Sequence, residues 1–280
     1  MEKFESLGQL LIAYRKFRGL SQTDLGALLD VDNRTIIRWE KNTTLLKADK
    51  EEELADSTFI PYQVIRNLNA PIAIPTFYDF ALRKYATHEV FSKVPHASWL
   101  KTLPPVSSQR FNPIKTAKEI ELIKRCLQLQ GKNTDRIKDE ILLKAAELFP
   151  QLNFILFENT GFYAGHCLIL PLKKKIYQKV KEKTLHPLEI EKEDLINPYE
   201  NEVVYFGLDF NADSNENLFH LTAPIRQYFT TKSTPSIYAS FTSRPDTELL
   251  NKQFGNELIW EHQHQWDNVP VKLFEQTFDA

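Results

Sequence analysis

The chain has 280 residues, a formal net charge of -2 and 42% hydrophobic residues. This composition excludes a disordered chain, a collagen-like fibre and a disulfide-stapled scaffold, and the length predicts about two domains. The two cysteines, Cys126 and Cys167, favour a reducing compartment. Since no apolar run approaches the roughly 18 residues of a membrane span, and the first residues are typical of neither a signal nor a transit peptide, we expect a cytoplasmic protein with no membrane partner.

The first 41 residues predict three short helices. An apolar stripe with helical spacing starts at Leu7, and Gly19 is placed to end that helix. The segment Ser21-Gln22-Thr23-Asp24 has the pattern of a capping box and begins a second helix. A tight turn at residues 30–32 leads to a third helix, Asn33 to Lys41, with an exposed polar row that a DNA major groove can accept.

Residues 6–68 carry the most specific motif of the chain. Its parts are Tyr14-Arg15-Lys16, Gly19-Leu20-Ser21-Gln22, Asp24-Leu25, Val31 and Ile36-Ile37-Arg38-Trp39-Glu40. This segment resembles the helix-turn-helix domain of the phage repressor and Cro (Xre) family. The resemblance implies an ion pair between Arg15 and Glu40, and contacts to double-stranded DNA from Gln22, Thr23, Asn33, Arg34, Thr35, Arg38 and Asn42.

The resemblance also implies a dimer. Residues 1–50 hold nine basic and seven acidic side chains, which predicts weak DNA affinity for a single copy. A homodimer on a palindromic operator would double the phosphate contacts. Gly26 stands where the family usually has alanine, and Asp30 and Asn42 stand where it commonly has glycine. Aspartate and asparagine tolerate the left-handed backbone conformation, so we expect the fold to be kept.

A proline-rich connector follows. Six of the fifteen prolines lie between residues 71 and 113, and proline interrupts both helices and strands. We predict one helix in this stretch, Thr76 to Ala86. The chain is thereby divided into a helix-turn-helix domain at 1–70, a helical connector at 71–112 and a second domain at 113–280.

The second domain alternates helical and strand periods. The predicted elements are helices at 116–130 and 134–148, strands at Phe154–Glu158 and Gly165–Leu170, a helix at Lys173–Lys183, a strand at Val203–Phe210, a helix at 216–230, a strand at Ser236–Phe241, a helix at Thr247–Phe254, and closing strands near 257–264 and 270–278. This order resembles the Gcn5-related acetyltransferase fold. The fold class is therefore an α domain followed by an α/β (α+β) domain with a mixed, mostly antiparallel sheet.

The segment that follows Phe210 argues against catalysis. In the acetyltransferase family a glycine-rich turn binds the pyrophosphate of acetyl-CoA through backbone N–H groups. Residues 211–217 of this chain hold no glycine and no arginine, and they hold two acidic residues. We therefore predict no catalytic residue and no cofactor. We also predict no metal site, because His262 and His264 have no evident third ligand and fit a strand surface.

These observations lead to one main hypothesis and two alternatives. The main hypothesis is a sequence-specific DNA-binding transcriptional regulator that is not an enzyme, whose second domain dimerises the protein, senses a small molecule or contacts another protein. The first alternative is an acyl-CoA-dependent N-acetyltransferase with a regulatory helix-turn-helix module, using Tyr205 or Tyr238 as general acid and Glu202 as base. The second is an antitoxin-like partner module.

Overall fold

The structure is a computed structural model that describes residues 1–93, 95–96, 98, 110–200, 202–232, 234–262 and 270–278. The chain forms two compact units, Met1–Lys93 and Val94–Ala280. The finer division at residues 70 and 112 stays a prediction. No helix in the described part of the chain is both long and apolar enough to cross a membrane.

Five helices build most of the first unit. They are α1 (Leu7–Arg18), α2 (Gln22–Leu28), α3 (Asn33–Glu40), α4 (Ala48–Thr58) and α5 (Tyr62–Leu68). The three helices predicted before residue 42 are present, and local signals set their ends. Ser21 and Asp24 form a reciprocal capping box at α2, and Gly19 ends α1 in the left-handed conformation. Asp30 and Asn42 also have positive φ, 45° and 55°.

The helix predicted at Thr76–Ala86 is wrong. This segment forms two strands, β2 (Thr76–Asp79) and β3 (Lys84–Ala86), and β2 also pairs with β1 (Glu2–Phe4) in a three-stranded antiparallel sheet. Burial alternates along β2, with Thr76 and Tyr78 buried and their neighbours half-buried. Alternation with period two, in β-branched and aromatic residues, is the pattern of a strand. The partner strand β1 is more than 70 residues away in sequence, so the local pattern gives no sign of it.

The second unit begins with a strand that was not predicted, β4 (Phe111–Pro113), and then follows the predicted order of elements. They are α6 (Ala117–Leu129), α7 (Asp139–Leu148), β5 (Phe154–Phe157), β6 (Tyr163–Lys173), α8 (Lys174–Lys181), β7 (Val203–Ala212), α9 (Asn215–Thr231), β8 (Ser236–Thr242), α10 (Pro245–Phe254), β9 (Glu257–His262) and β10 (Val271–Phe278).

These strands form one mixed sheet of seven. Its order is β4-β5-β6-β7-β8-β10-β9. Within the described strands, β7 and β8 are parallel and every other neighbouring pair is antiparallel. This is the mixed, mostly antiparallel sheet that was predicted, and it is consistent with an acetyltransferase-like fold.

A single buried cluster organises one face of this sheet. Phe149 beside α7, Phe229 on α9 and Leu250 on α10 meet side chains from the central strands, among them Cys167 and Tyr205. Because side chains alternate between the two faces of a strand, residues next to these in sequence point to the opposite face. The two faces of the sheet therefore carry different sets of side chains at the centre of the unit.

Candidate functional site

The parallel strands β7 and β8 separate before they end. Their pairing runs from Val204 opposite Ile237 to Gly207 opposite Ser240 and stops there, although β7 continues to Ala212 and β8 to Thr242. On its other edge β7 has a bulge, because Leu208 has no opposite residue on β6. A bulge bends and twists its strand. The sheet therefore opens into a gap beyond Gly207.

A cavity of about 510 Å³ lies on the face of the sheet that carries α9 and α10. Most of its wall is apolar and includes Phe210, Phe229, Phe254 and Phe278. A polar strip on the same wall consists of Ser240, Asn251 and Asn256. The volume is within the range of small-molecule sites, which combine an apolar wall with a few placed polar groups.

A narrow opening of about 10 Å³ continues from this cavity into the gap. It shares Tyr238, Ser240 and Phe210 with the cavity and is also lined by Cys167 and Asp209. Cys167 and Phe210 belong to the face of the cavity, whereas alternation places Asp209 on the other face. The opening is thus lined by residues from both faces of the sheet.

Tyr238 places a hydroxyl at the mouth of the gap. A Cβ atom added to Gly207 would lie 2.8 Å from Tyr238 Oη, so glycine is needed there for the ring to fit. Burial raises the pKa of the Tyr238 hydroxyl, and a hydrogen bond with Ser240 opposes that shift only in part. The hydroxyl is therefore protonated at neutral pH and available as a proton donor.

Asp209 anchors a buried network on the opposite face. Lys132 Nζ donates to Asp209 Oδ1 at 2.5 Å, and His166 Nε2 lies 2.8 Å from Asp209 Oδ2. The Tyr163 hydroxyl bonds His166 Nδ1. Burial alone would raise the pKa of Asp209, but the Lys132 ammonium and the His166 hydrogen bond hold it well below its ordinary value. Asp209 is therefore an ionised carboxylate at the gap.

Two of the residues named for the acetyltransferase alternative lie away from the gap. The Tyr205 hydroxyl donates to the Pro198 carbonyl at 2.7 Å and lies 2.8 Å from the Tyr228 hydroxyl. Glu202 is exposed and directly precedes β7, at the end of the strand opposite to the gap. Of the three residues proposed for that alternative, Tyr238 alone lines the gap.

The sequence reasoning did not find Asp209, His166 or Lys132. They lie far apart in the chain: the pairing of β6 with β7 brings His166 close to Asp209, and Lys132 comes from the segment after α6. One signal was present, because His166 and Asp209 each interrupt a strand that is otherwise almost wholly apolar. Among the described residues, no group of histidine, cysteine and acidic side chains could hold a metal ion. His264, one half of the histidine pair, lies outside the described residues.

The side chains assigned to DNA contacts are placed on α2, on α3 and just after it. Arg15 Nε donates to Glu40 Oε1 at 2.5 Å, and Gln22 Nε2 donates to Glu40 Oε2 at 2.6 Å. Asn42 accepts a hydrogen bond from the Gly8 amide and donates one to Ser6 Oγ. Thr35 is half-buried, and the remaining residues of the set are exposed, namely Thr23, Asn33, Arg34 and Arg38. Their role in DNA binding stays a prediction.

Comparison with known proteins gives one distant likeness to report. No family model matches the chain, and no curated protein matches it. Among the solved structures that match is Arabidopsis thaliana NAA60 in complex with a bisubstrate analogue, at 12% identity and a TM-score of 0.36, covering 60% of this chain and 96% of that chain. So distant a likeness says nothing about individual residues or substrates. The fold assignment of the second unit rests on its strand order.

The main functional hypothesis is corrected by this finding. The structural likeness is to NAA60, and nothing in the comparisons supports a DNA-binding regulator that is not an enzyme. The lack of glycine and arginine after Phe210 does not by itself exclude catalysis. The gap between β7 and β8 depends on where strand pairing stops, and composition does not reveal that. The resemblance of residues 6–68 to phage repressors has no support from the comparisons and stays a prediction.

Proposed function

We propose that the second unit is an N-acyltransferase that moves an acyl group from a thioester of the coenzyme A type to an amine. One observation carries the proposal: the gap between β7 and β8 has a mostly apolar cavity on one face of the sheet and an ionised carboxylate on the other. The donor's flexible arm would lie in the cavity, and the amine would approach from the side of Asp209. The two reactants meet only in the gap.

The donor side has the groups that thioester cleavage requires. The amine nitrogen attacks the carbonyl carbon, the carbon–sulfur bond breaks, and the sulfur takes a proton from the Tyr238 hydroxyl. The resulting tyrosinate recovers the proton that the amine nitrogen gives up. Beyond Gly207 the peptide groups on this edge of β7 have no β8 partner, so they are placed to bond the carbonyl oxygen as it becomes negative.

The acceptor side selects by charge. Asp209 lines the opening and stays ionised at neutral pH, because Lys132 and His166 stabilise its negative form. A carboxylate in such a confined place attracts a cationic amine. We therefore expect the acceptor to be a primary amine that is protonated in solution and gives that proton to bulk water on entering the gap, so that the neutral nitrogen attacks.

The test uses the full chain, acetyl-CoA and a panel of primary amines that includes lysine peptides, amino acids and polyamines. Free thiol release is measured with and without each amine. We expect amine-dependent release, and we expect Tyr238→Phe to lower kcat by about 100-fold, in the range for loss of a general acid. Tyr205→Phe is the matched control, since its hydroxyl is buried on the same face but away from the gap.

Two results would contradict the proposal. The first is an absence of thiol release above the rate without amine for every member of the panel, together with no binding of an acetyl thioester by calorimetry. The second is an equal loss of kcat in Tyr238→Phe and Tyr205→Phe, which would make the effect one of packing.

A further inference from the structure

Resting on the proposed function, we infer that this site recognises its donor by the pantetheine arm and has no subsite for the nucleotide's pyrophosphate. The class of donor is then any acyl thioester of pantetheine, and coenzyme A is one member of it. Two parts of the structure lead to this inference: the turn that opens α9, and the polar strip of the cavity.

The start of α9 is already filled by the protein's own side chains. A helix N-terminus binds anions through its free backbone N–H groups and its positive dipole end. Here Ser214 Oγ accepts the Asn217 N–H at 3.2 Å. The carboxylate of Asp213, which is 0% exposed, accepts Asn217 Nδ2 at 2.6 Å. The buried Asp213 carboxyl and its bond to Asn217 therefore already occupy the start of α9.

The cation at this turn is also engaged. Arg110 Nη2 donates to Asn217 Oδ1 at 2.7 Å, and its Nε donates to the Phe157 carbonyl at 2.8 Å. The first turn of α9 adds a second negative charge, the exposed Glu216. Because every residue from 211 to 217 carries a side chain larger than hydrogen, no stretch of bare backbone can approach a phosphate.

The cavity, in contrast, has an open position for an amide. Asn251 Nδ2 donates to Ser240 Oγ at 3.3 Å, and Asn256 Nδ2 donates to Asn251 Oδ1 at 2.5 Å. At the end of this chain, Asn256 Oδ1 is buried and has no hydrogen-bond partner among the described residues. A buried carbonyl without a partner is costly unless a ligand completes it. The amide N–H groups of a pantetheine arm are donors of the right kind.

Calorimetry with the full chain tests the inference directly, using S-acetyl-pantetheine and acetyl-CoA as separate probes. We expect the two Kd values to agree within about tenfold, and a larger preference for acetyl-CoA overturns the inference while leaving the proposed function intact. Binding of neither probe overturns both the inference and the proposed function.

Arg226, which also lines the cavity, is the cation that a phosphate would use if the inference were wrong. In that case Arg226→Gln would remove the preference for acetyl-CoA.

A charge variant at the turn gives an independent test. Asp213→Asn keeps the size of the side chain and removes its charge. We expect it to tighten acetyl-CoA binding by about tenfold, because a like-charge contact is removed, and to leave S-acetyl-pantetheine unchanged. Asp139→Asn removes the same charge from an exposed position on α7, outside this turn, and serves as the control. If Asp213→Asn leaves the ratio of the two affinities unchanged, the buried carboxylate does not exclude the pyrophosphate and the inference is overturned.

Discussion

Each unit of this protein buries a carboxylate, and the two differ in what holds it. Glu40 in the first unit accepts hydrogen bonds from Arg15 and Gln22, which come from helices that follow each other in the chain. Asp209 in the second unit is held by Lys132, which follows α6, and by His166 on β6, and both lie more than 40 residues away in the chain. Glu40 connects three helices, because its partners lie on α1 and α2 while it lies on α3. Asp209 lies at the gap between β7 and β8.

The largest effect on stability is expected from breaking the ion pair between Arg15 and Glu40. Arg15→Met leaves Glu40, whose side chain is 6% exposed, without its charge partner. Removing one member of a buried ion pair costs about 3 kcal/mol of unfolding free energy, because the remaining charge is not solvated. Urea denaturation of the full chain measures this cost. Lys3→Met is the control, since Lys3 and its partner Glu5 are about half exposed and such a pair contributes little.

A small effect of Arg15→Met, equal to that of Lys3→Met, would show that Gln22 alone can stabilise Glu40. The first unit would then tolerate loss of the ion pair that its sequence motif implies.

The contribution of Asp209 and its partners to the free energy of unfolding should depend on pH. Asp209 has a folded pKa below its unfolded value near 3.9, so its contribution to stability is present above that pH and is lost as the pH falls through the folded pKa. We expect Asp209→Asn to cost about 2 kcal/mol at pH 7, as for a hydrogen bond to a charged group. At pH 3 the difference between the two proteins should be smaller. Urea midpoints at both pH values give the measurement.

Asp139→Asn provides the comparison for that experiment. Asp139 pairs with Lys124 at an exposed position, so its removal should change stability little at either pH. An Asp209→Asn cost that is the same at pH 7 and pH 3 would mean that folding does not lower the pKa of the Asp209 carboxyl.

The contrast between the two networks shows what the sequence could predict. Helix ends in the first unit are set by residues within a few positions of each other, such as the Ser21–Asp24 box, and the substitutes for glycine at Asp30 and Asn42 do adopt positive φ. The order of elements in the second unit was predictable because each element has its own period. Pairing over long distances was not predictable, and both errors, the helix at Thr76–Ala86 and the missed Asp209 network, depend on strands that meet across the fold.

The smallest effect is expected from a change at Gly207, the residue at which β7 and β8 stop pairing. In Gly207→Ala the new Cβ lies 2.8 Å from Tyr238 Oη, so the hydroxyl must move by a few tenths of an ångström. Because catalysis depends on the position of a proton donor, we expect acyl transfer to fall by about tenfold. In a Tyr238→Phe background no hydroxyl is present to be displaced, so the same alanine should have almost no further effect. The four proteins form a double-mutant cycle, and additive losses in kcat would show that Gly207 acts on the sheet and not through Tyr238.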